Sequence, residues 1–135
     1  DPVEVVILDS LGELASLYPL ANAVFIGGTL VPTGGHNILE PAAAGRAILV
    51  GPSMENFREI TDLFLGAGAL LQARDAAEFE TRLGRLLDHP AEGAETGARA
   101  AELLHARQGA TVRNADRIFG PAPATAPGPA AEAPR

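Results

Sequence analysis

Val24-Phe25-Ile26-Gly27-Gly28-Thr29-Leu30-Val31-Pro32-Thr33-Gly34-Gly35-His36-Asn37-Ile38-Leu39-Glu40-Pro41-Ala42 is the stretch that decides how this chain reads. An apolar run of β-type residues ends in two glycines, and a short loop follows that carries a second glycine pair. Asn37 then has the character of a helix start, with Glu40 one turn in. Strand, glycine-rich loop and helix N-terminus in that order form a candidate anion site, because unpaired N–H groups and the helix dipole converge there.

On either side of this stretch, short apolar runs alternate with helical patterns. Upstream, Val5-Val6-Ile7-Leu8 reads as a buried parallel strand. Asp9-Ser10 closes it, with Glu13 spaced for a capping box, and a helix is expected from Leu11 to about Tyr18, ended or kinked at Pro19. Ala23–Ile26 is the next strand, and the helix that starts at Asn37 is expected to reach Ala44, with Gly45 after it. Ala47-Ile48-Leu49-Val50 is a further strand closed by Gly51-Pro52. It is followed by a helix over Phe57–Leu65 with Phe57, Ile60, Leu63 and Phe64 inward. Ala69–Gln72 reads as a short strand. Asp75 caps a helix to about Asp88, with Phe79, Leu83, Leu86 and Leu87 at helical spacing. A long Ala-rich helix is expected from Pro90 to about Ala106, and a last one over Gly109–Phe119. From Gly120 onward proline alternates with alanine, which predicts a disordered tail over 120–135. The alternation predicts an α/β fold with a Rossmann-like parallel sheet and flanking helices, occupying residues 1–119. In such sheets ligands bind at the carboxyl ends of the strands. Asp9-Ser10, the glycine-rich loop and Gly51–Asn56 all fall there.

The bulk properties narrow the function classes. With 135 residues and 47% hydrophobic side chains, the chain has material for one core, and at 4% aromatic content that core is aliphatic. A net charge of −7 argues against a general nucleic-acid binder, which needs a basic patch. It leaves room for a nucleotide pocket built from backbone N–H groups. With no cysteine, the chain offers no disulfide, thiolate metal site or cysteine nucleophile. No apolar run is long enough to span a bilayer, and Asp1-Pro2-Val3-Glu4 lacks the character of a signal peptide, so the piece is expected to be soluble. No cluster of His and carboxylates has metal-ligand spacing.

Read for chemistry, the loop residues each have two uses. Gly27, Gly28, Gly34 and Gly35 let a backbone approach a phosphate closely, or serve turns that need positive φ. Asn37 donates to a phosphate, caps a helix, or does both. Thr29 adds a hydroxyl to the pocket or caps the strand end. His36 touches a ligand or is structural, and His89 and His105 read as solvent-facing.

Taken together, Asp9-Ser10-Leu11-Gly12-Glu13-Leu14, Phe25–Pro32, Gly34–Ala42, Gly51-Pro52 and Asn56-Phe57-Arg58-Glu59-Ile60 resemble the C-terminal half of the 3-deoxy-D-manno-octulosonic acid (Kdo) transferases. These are two-domain glycosyltransferases of the GT-B type that act in lipopolysaccharide biosynthesis. The chain departs from the family at Ile38, where a proline is usual. Proline there would preorganise the turn, so isoleucine alters rigidity more than chemistry.

The resemblance implies that this chain is an incomplete donor domain, lacking strands upstream of Val5, so that its first strand is an open edge. It implies a donor substrate, CMP-Kdo, and no cofactor or metal. The partners it implies are an N-terminal acceptor domain with the catalytic carboxylate and, through that domain, a lipid A precursor. It also implies a place at the cytoplasmic face of the bacterial inner membrane for the full-length enzyme. No catalytic residue falls in this chain, which alone is expected to be inactive. The donor-binding set carried over is Gly12, Gly27, Gly28, Thr29, Gly34, Gly35, His36, Asn37, Glu40 and Asn56. Within it, Glu40 is implied to take the ribose hydroxyls, since a carboxylate is a poor neighbour for a phosphate. Gly12 lies at the helix start that faces the base, while a capping box accounts for the Glu13 side chain. Asn56 is set near the site and Phe57 in the core. Two other readings stay open: the donor domain of another GT-B enzyme that uses a UDP-sugar, and an α/β scaffold without catalysis.

Overall fold

Ala47, Ile48, Leu49 and Val50 are each at most 1% exposed, and they form the central strand of the sheet. The computed structural model describes residues 5–10 and 12–107. Within it the elements run α1 (Leu14–Leu17), β1 (Ala23–Phe25), α2 (Leu39–Ala43), β2 (Ala47–Val50), α3 (Arg58–Gly66), β3 (Leu71–Gln72), α4 (Ala76–Asp88) and α5 (Pro90–Arg107). One-turn 3-10 helices at Tyr18–Leu20 and Glu55–Phe57 precede β1 and α3. The three strands are parallel in the order β1-β2-β3, with Ala23 opposite Ala47 and Leu49 opposite Leu71.

A strand points successive side chains to opposite faces, so β2 packs on both sides of the sheet. Ile48 and Val50 join Ile26, Ile38, Ala42, Met54, Phe64 and Ala100 in one cluster. Burying each of its larger side chains, Ile, Val, Met and Phe, is worth roughly 1.5–3 kcal/mol. The other face carries Leu49 beside Phe25, whose ring meets that of Phe79 on α4 at 4.5 Å between centroids. Helix α5 reaches the turn after α2 through Gly97: a Cβ there would stand 2.1 Å from the Gly45 carbonyl oxygen. The close approach that glycine permits brings Ala100 into the main core.

The α/β class and the parallel sheet are as the sequence predicts. Asp75 caps α4, its carboxylate accepting the Glu78 N–H at 2.8 Å, and α5 starts at Pro90. Four expectations are corrected. Val5–Leu8 forms no strand among the described residues, and Val5, Val6 and Ile7 are 78%, 80% and 86% exposed, so it is not a buried strand. A parallel strand exists only through a neighbour's N–H and C=O groups, and no described residue supplies them. The first helix is one turn, Leu14–Leu17, before it tightens to 3-10 at Pro19. The strand expected at Ala69–Gln72 is ladder-paired only at Leu71–Gln72, although Ala69 and Leu70 are buried. Leu87 is 59% exposed; α4 buries Leu86 instead. The helix expected over Gly109–Phe119 and the tail over 120–135 lie outside the described residues.

Candidate functional site

The carboxyl ends of β1 and β2 lie side by side, and the loops that leave them are laced together. The loop after β1 turns sharply at Gly28, where φ is +71°, and the Thr33 hydroxyl donates to the Gly28 carbonyl. Thr29 dives inward. Its hydroxyl donates to Ile26 O at 2.6 Å and accepts the Gly51 N–H at 2.8 Å. Its carbonyl accepts the Ser53 N–H at 2.9 Å. Gly51 fits only because it has no side chain, since a Cβ would lie 2.2 Å from Thr29 O.

Further along, Gly34 and Gly35 turn back through φ of +87° and +75°. The Gly34 N–H donates to the Ser53 hydroxyl at 2.9 Å, and the Gly34 carbonyl accepts the Asn56 N–H at 3.1 Å. Met54 and Ser53 pack where a Gly35 side chain would stand. His36 and Asn37 are exposed beyond this turn. Among the described residues His36 makes no hydrogen bond, so its N–H and its imidazole are both available to a ligand.

His36 and Asn37 line a cleft of about 260 Å³ together with Leu14, Tyr18 and residues 24–27. Glu40 is exposed in the first turn of α2 and acts on Tyr18 from beside this cleft. Burial first, and the Glu40 charge second, hold the Tyr18 phenol above its usual pKa. On the other loop, the Ser53 hydroxyl first and the Glu55 backbone N–H second hold the Glu55 carboxyl below the usual carboxylate range.

Several sequence-predicted site residues are thus brought together: Gly27, Gly28, Gly34, Gly35, His36, Asn37 and Asn56 belong to one loop pair. Three expectations change in detail. Thr29 is fully buried with its hydroxyl proton already given to Ile26, so its side chain is a brace and not a pocket wall. The Gly34 N–H is taken by Ser53, so it is not free to meet a phosphate. Asn37 is not the N-cap of α2. Its side chain accepts the Leu39 N–H at 3.0 Å in an Asx turn, and the helix starts two residues later than expected. The five residues of α2 also make a weaker dipole than a full helix does.

Gly12 is exposed with φ of +88°, and no atom lies within 4 Å of where its Cβ would stand. It joins none of these contacts. The capping box expected at Glu13 is also absent. The Ser10 hydroxyl donates to the Glu13 carboxylate directly, and α1 has no side-chain cap.

Two residues that the sequence reading passed over stand out. Tyr18 is legible in the sequence only as the end of the first helix, and Ser53 carries no local signal because its partner is 19 residues away. Among the described residues no group of three or more His or carboxylate side chains is placed to hold a metal ion. No helix among them is long and apolar enough to cross a membrane.

No family model matches the chain. It is similar to the 3-deoxy-D-manno-octulosonic acid transferase of Bordetella pertussis, with 36% identity over 118 residues, 86% of this chain and 27% of that protein. The transferase of the same name from Aquifex aeolicus is 33% identical over 84 residues, 62% of this chain and 24% of that protein. Among solved structures it is similar to the C-terminal CMP-Kdo binding domain of WaaA from Acinetobacter baumannii. That match has a TM-score of 0.66 and 39% identity, and covers 72% of this chain and 51% of that one. The chain spans about a quarter of the length of these curated relatives.

Proposed function

We propose that this chain, which is related in sequence and fold to the C-terminal part of the Kdo transferases, binds the nucleotide portion of CMP-Kdo at the carboxyl edge of its sheet. The observation that carries this reading is the 39% identity to a CMP-Kdo binding domain of the same fold, together with a loop pair that presents free backbone groups at that edge. The unit that carries the role is assigned to residues 1–119.

In this reading the phosphate sits against the N–H groups that follow Gly34, with Gly27 and Gly28 allowing close approach and His36 and Asn37 alongside. Glu40 accepts from the ribose hydroxyls one turn into α2. Asn56 and Thr29 support the loop from behind. Transfer of Kdo to a lipid A precursor breaks the bond between the sugar and the phosphate. N–H groups already aimed at that phosphate stabilise the charge that grows on it. The group that activates the attacking hydroxyl belongs to an acceptor domain elsewhere in the full-length enzyme, which would work at the cytoplasmic face of the inner membrane. The reading asks for neither a metal nor a cofactor.

Titration of the folded chain with CMP, UMP and UDP by calorimetry tests this. CMP is expected to bind most tightly and to shift the amides of Gly34 to Glu40 in NMR spectra. A preference for UDP would replace the proposal with a UDP-sugar enzyme. A folded sample that answers to none of them would leave only a scaffold.

A further inference from the structure

We infer that Ser53 and Glu55 are positioning residues for the glycine-rich loop, a carboxylate–hydroxyl relay that fixes the Gly34 peptide and thereby aims the N–H groups after it. This rests on the donor-binding reading for its purpose, though not for its geometry.

The relay is built from a residue that is 5% exposed. Ser53 is held by its own backbone, whose N–H donates to Thr29 O at 2.9 Å. Its hydroxyl donates to a Glu55 carboxylate oxygen at 2.8 Å and accepts the Gly34 N–H at 2.9 Å. A hydroxyl has one proton. Once Glu55 takes it, only lone pairs remain for Gly34, so the carboxylate decides which way the Ser53 oxygen faces. The bond to the charged group is the stronger kind, and it polarises the next bond in the chain. Asn56 completes the hold by donating its N–H to the Gly34 carbonyl. Both polar atoms of Gly34 are thereby fixed by one four-residue segment, Ser53 to Asn56. The same segment closes on the turn sterically. A Cβ on Gly34 would meet the Asn56 side-chain amide, and one on Gly35 would lie 2.5 Å from the Met54 sulfur.

What the relay accomplishes is a directional choice. Gly34 and Gly35 are both at positive φ, where glycine has wide freedom, and an untethered Gly-Gly pair would sample many orientations of the next N–H groups. Tethering Gly34 at both ends removes that freedom before any ligand arrives, which lowers the ordering cost of binding.

The test uses Ser53→Ala, Glu55→Ala and Glu55→Gln in the 135-residue chain, reading amide exchange of Gly34 by NMR and the dissociation constant for CMP. Loss of one hydrogen bond of ordinary strength corresponds to roughly a fivefold change in either reading. Ser53→Ala and Glu55→Ala are expected to speed Gly34 exchange and weaken CMP by about that factor or more, and Glu55→Gln, whose amide oxygen still accepts, to restore most of both. The changes should be confined to the Gly34–Asn37 amides. Unchanged Gly34 exchange in both alanine variants overturns the relay, as does a uniform rise across all amides, which would mark a purely global role. Should Ser53→Ala fail to fold, the exposed Glu55 pair decides alone. If the wild-type chain does not bind CMP, the donor reading falls and Gly34 exchange still decides the relay.

Discussion

The Gly51 N–H meets the Thr29 hydroxyl at 2.8 Å, and the Thr29 carbonyl lies so close to Gly51 that a Cβ there would be 2.2 Å away. The two strand ends that carry the candidate site are therefore joined at a buried contact, reinforced by the Ser53 N–H that donates to the Thr29 carbonyl at 2.9 Å.

Thr29→Val keeps the shape of the side chain and removes its hydroxyl. The Gly51 N–H and the Ile26 carbonyl then lose a buried partner, each at a cost of roughly 1–3 kcal/mol. Urea unfolding should show a loss of about 2–6 kcal/mol. A change below about 0.5 kcal/mol, the range of ordinary surface substitutions, would mean that the pair does not join the strands.

Gly51→Ala tests the same point from the other side. The obstacle is backbone, the Thr29 carbonyl, which cannot rotate away as a side chain does. We expect a loss of about 2 kcal/mol or more, of the size seen when a packed site is overfilled. Gly66→Ala is the control, since nothing lies within 4 Å of its Cβ position and it sits at the end of α3. Equal losses in the two variants would contradict the packing argument.

Asp75→Ala removes the side chain that accepts the Glu78 N–H at the start of α4. The loss is expected to be about 1 kcal/mol, and Asp75→Asn should recover most of it because asparagine caps nearly as well. Thermal unfolding of the two variants side by side distinguishes a cap from a simple charge effect.

Glu78 has a second task beside its backbone role, and that task is sensitive to acid. Its carboxylate takes hydrogen bonds from Arg74 and Arg82. The Arg74 side chain first, then the Arg74 backbone N–H and the Arg82 side chain, lower its pKa from 4.5 to about 2. A carboxylate depressed in the folded state stabilises the fold above its unfolded pKa and loses that contribution as the pH falls through the folded value. The contribution of Glu78 is therefore whole above pH 4.5 and lost towards pH 2. Carbon-detected NMR titration of Glu78 should find a midpoint well below that of an ordinary glutamate. A midpoint near 4.5 would show that the arginines do not hold it.

The parts of this molecule that were legible in the sequence are those that local chemistry decides. Ala47–Val50 is an uninterrupted apolar run bounded by Arg46 and Gly51, and it became the buried central strand. Asp75 caps and Pro90 starts a helix because each acts within one turn of itself. Val5–Leu8 has the same apolar character as Ala47–Val50 but no described neighbour, and strand formation depends on the neighbour. The site divides in the same way. Its glycines and Asn37 were visible as turn formers, whereas the inward turn of Thr29 and the reach of Ser53 to Gly34 depend on two loops meeting across the sheet edge. A threonine beside glycines in a loop offers a hydroxyl to solvent or to the core with no difference in sequence.

Glu40 offers the sharpest separation of roles within the proposed donor site. It is exposed in the first turn of α2 and lies within electrostatic reach of Tyr18, beside the cleft that His36 and Asn37 line. If its carboxylate accepts from ribose hydroxyls, its worth depends on those hydroxyls and not on the phosphate. A hydrogen bond to a charged group contributes roughly 1.5–3 kcal/mol, which is about 10- to 150-fold in affinity. Glu40→Ala should therefore weaken CMP by at least about tenfold, while 2′-deoxy-CMP, already weaker for the wild-type chain, should change much less. His36→Ala should weaken both nucleotides alike, because the proposal sets it beside the phosphate and not the ribose. The comparison rests on a ratio of affinities, so a general loss of loop order cancels. Equal losses of CMP and 2′-deoxy-CMP binding in Glu40→Ala would remove the ribose assignment and return Glu40 to the surface of a short helix.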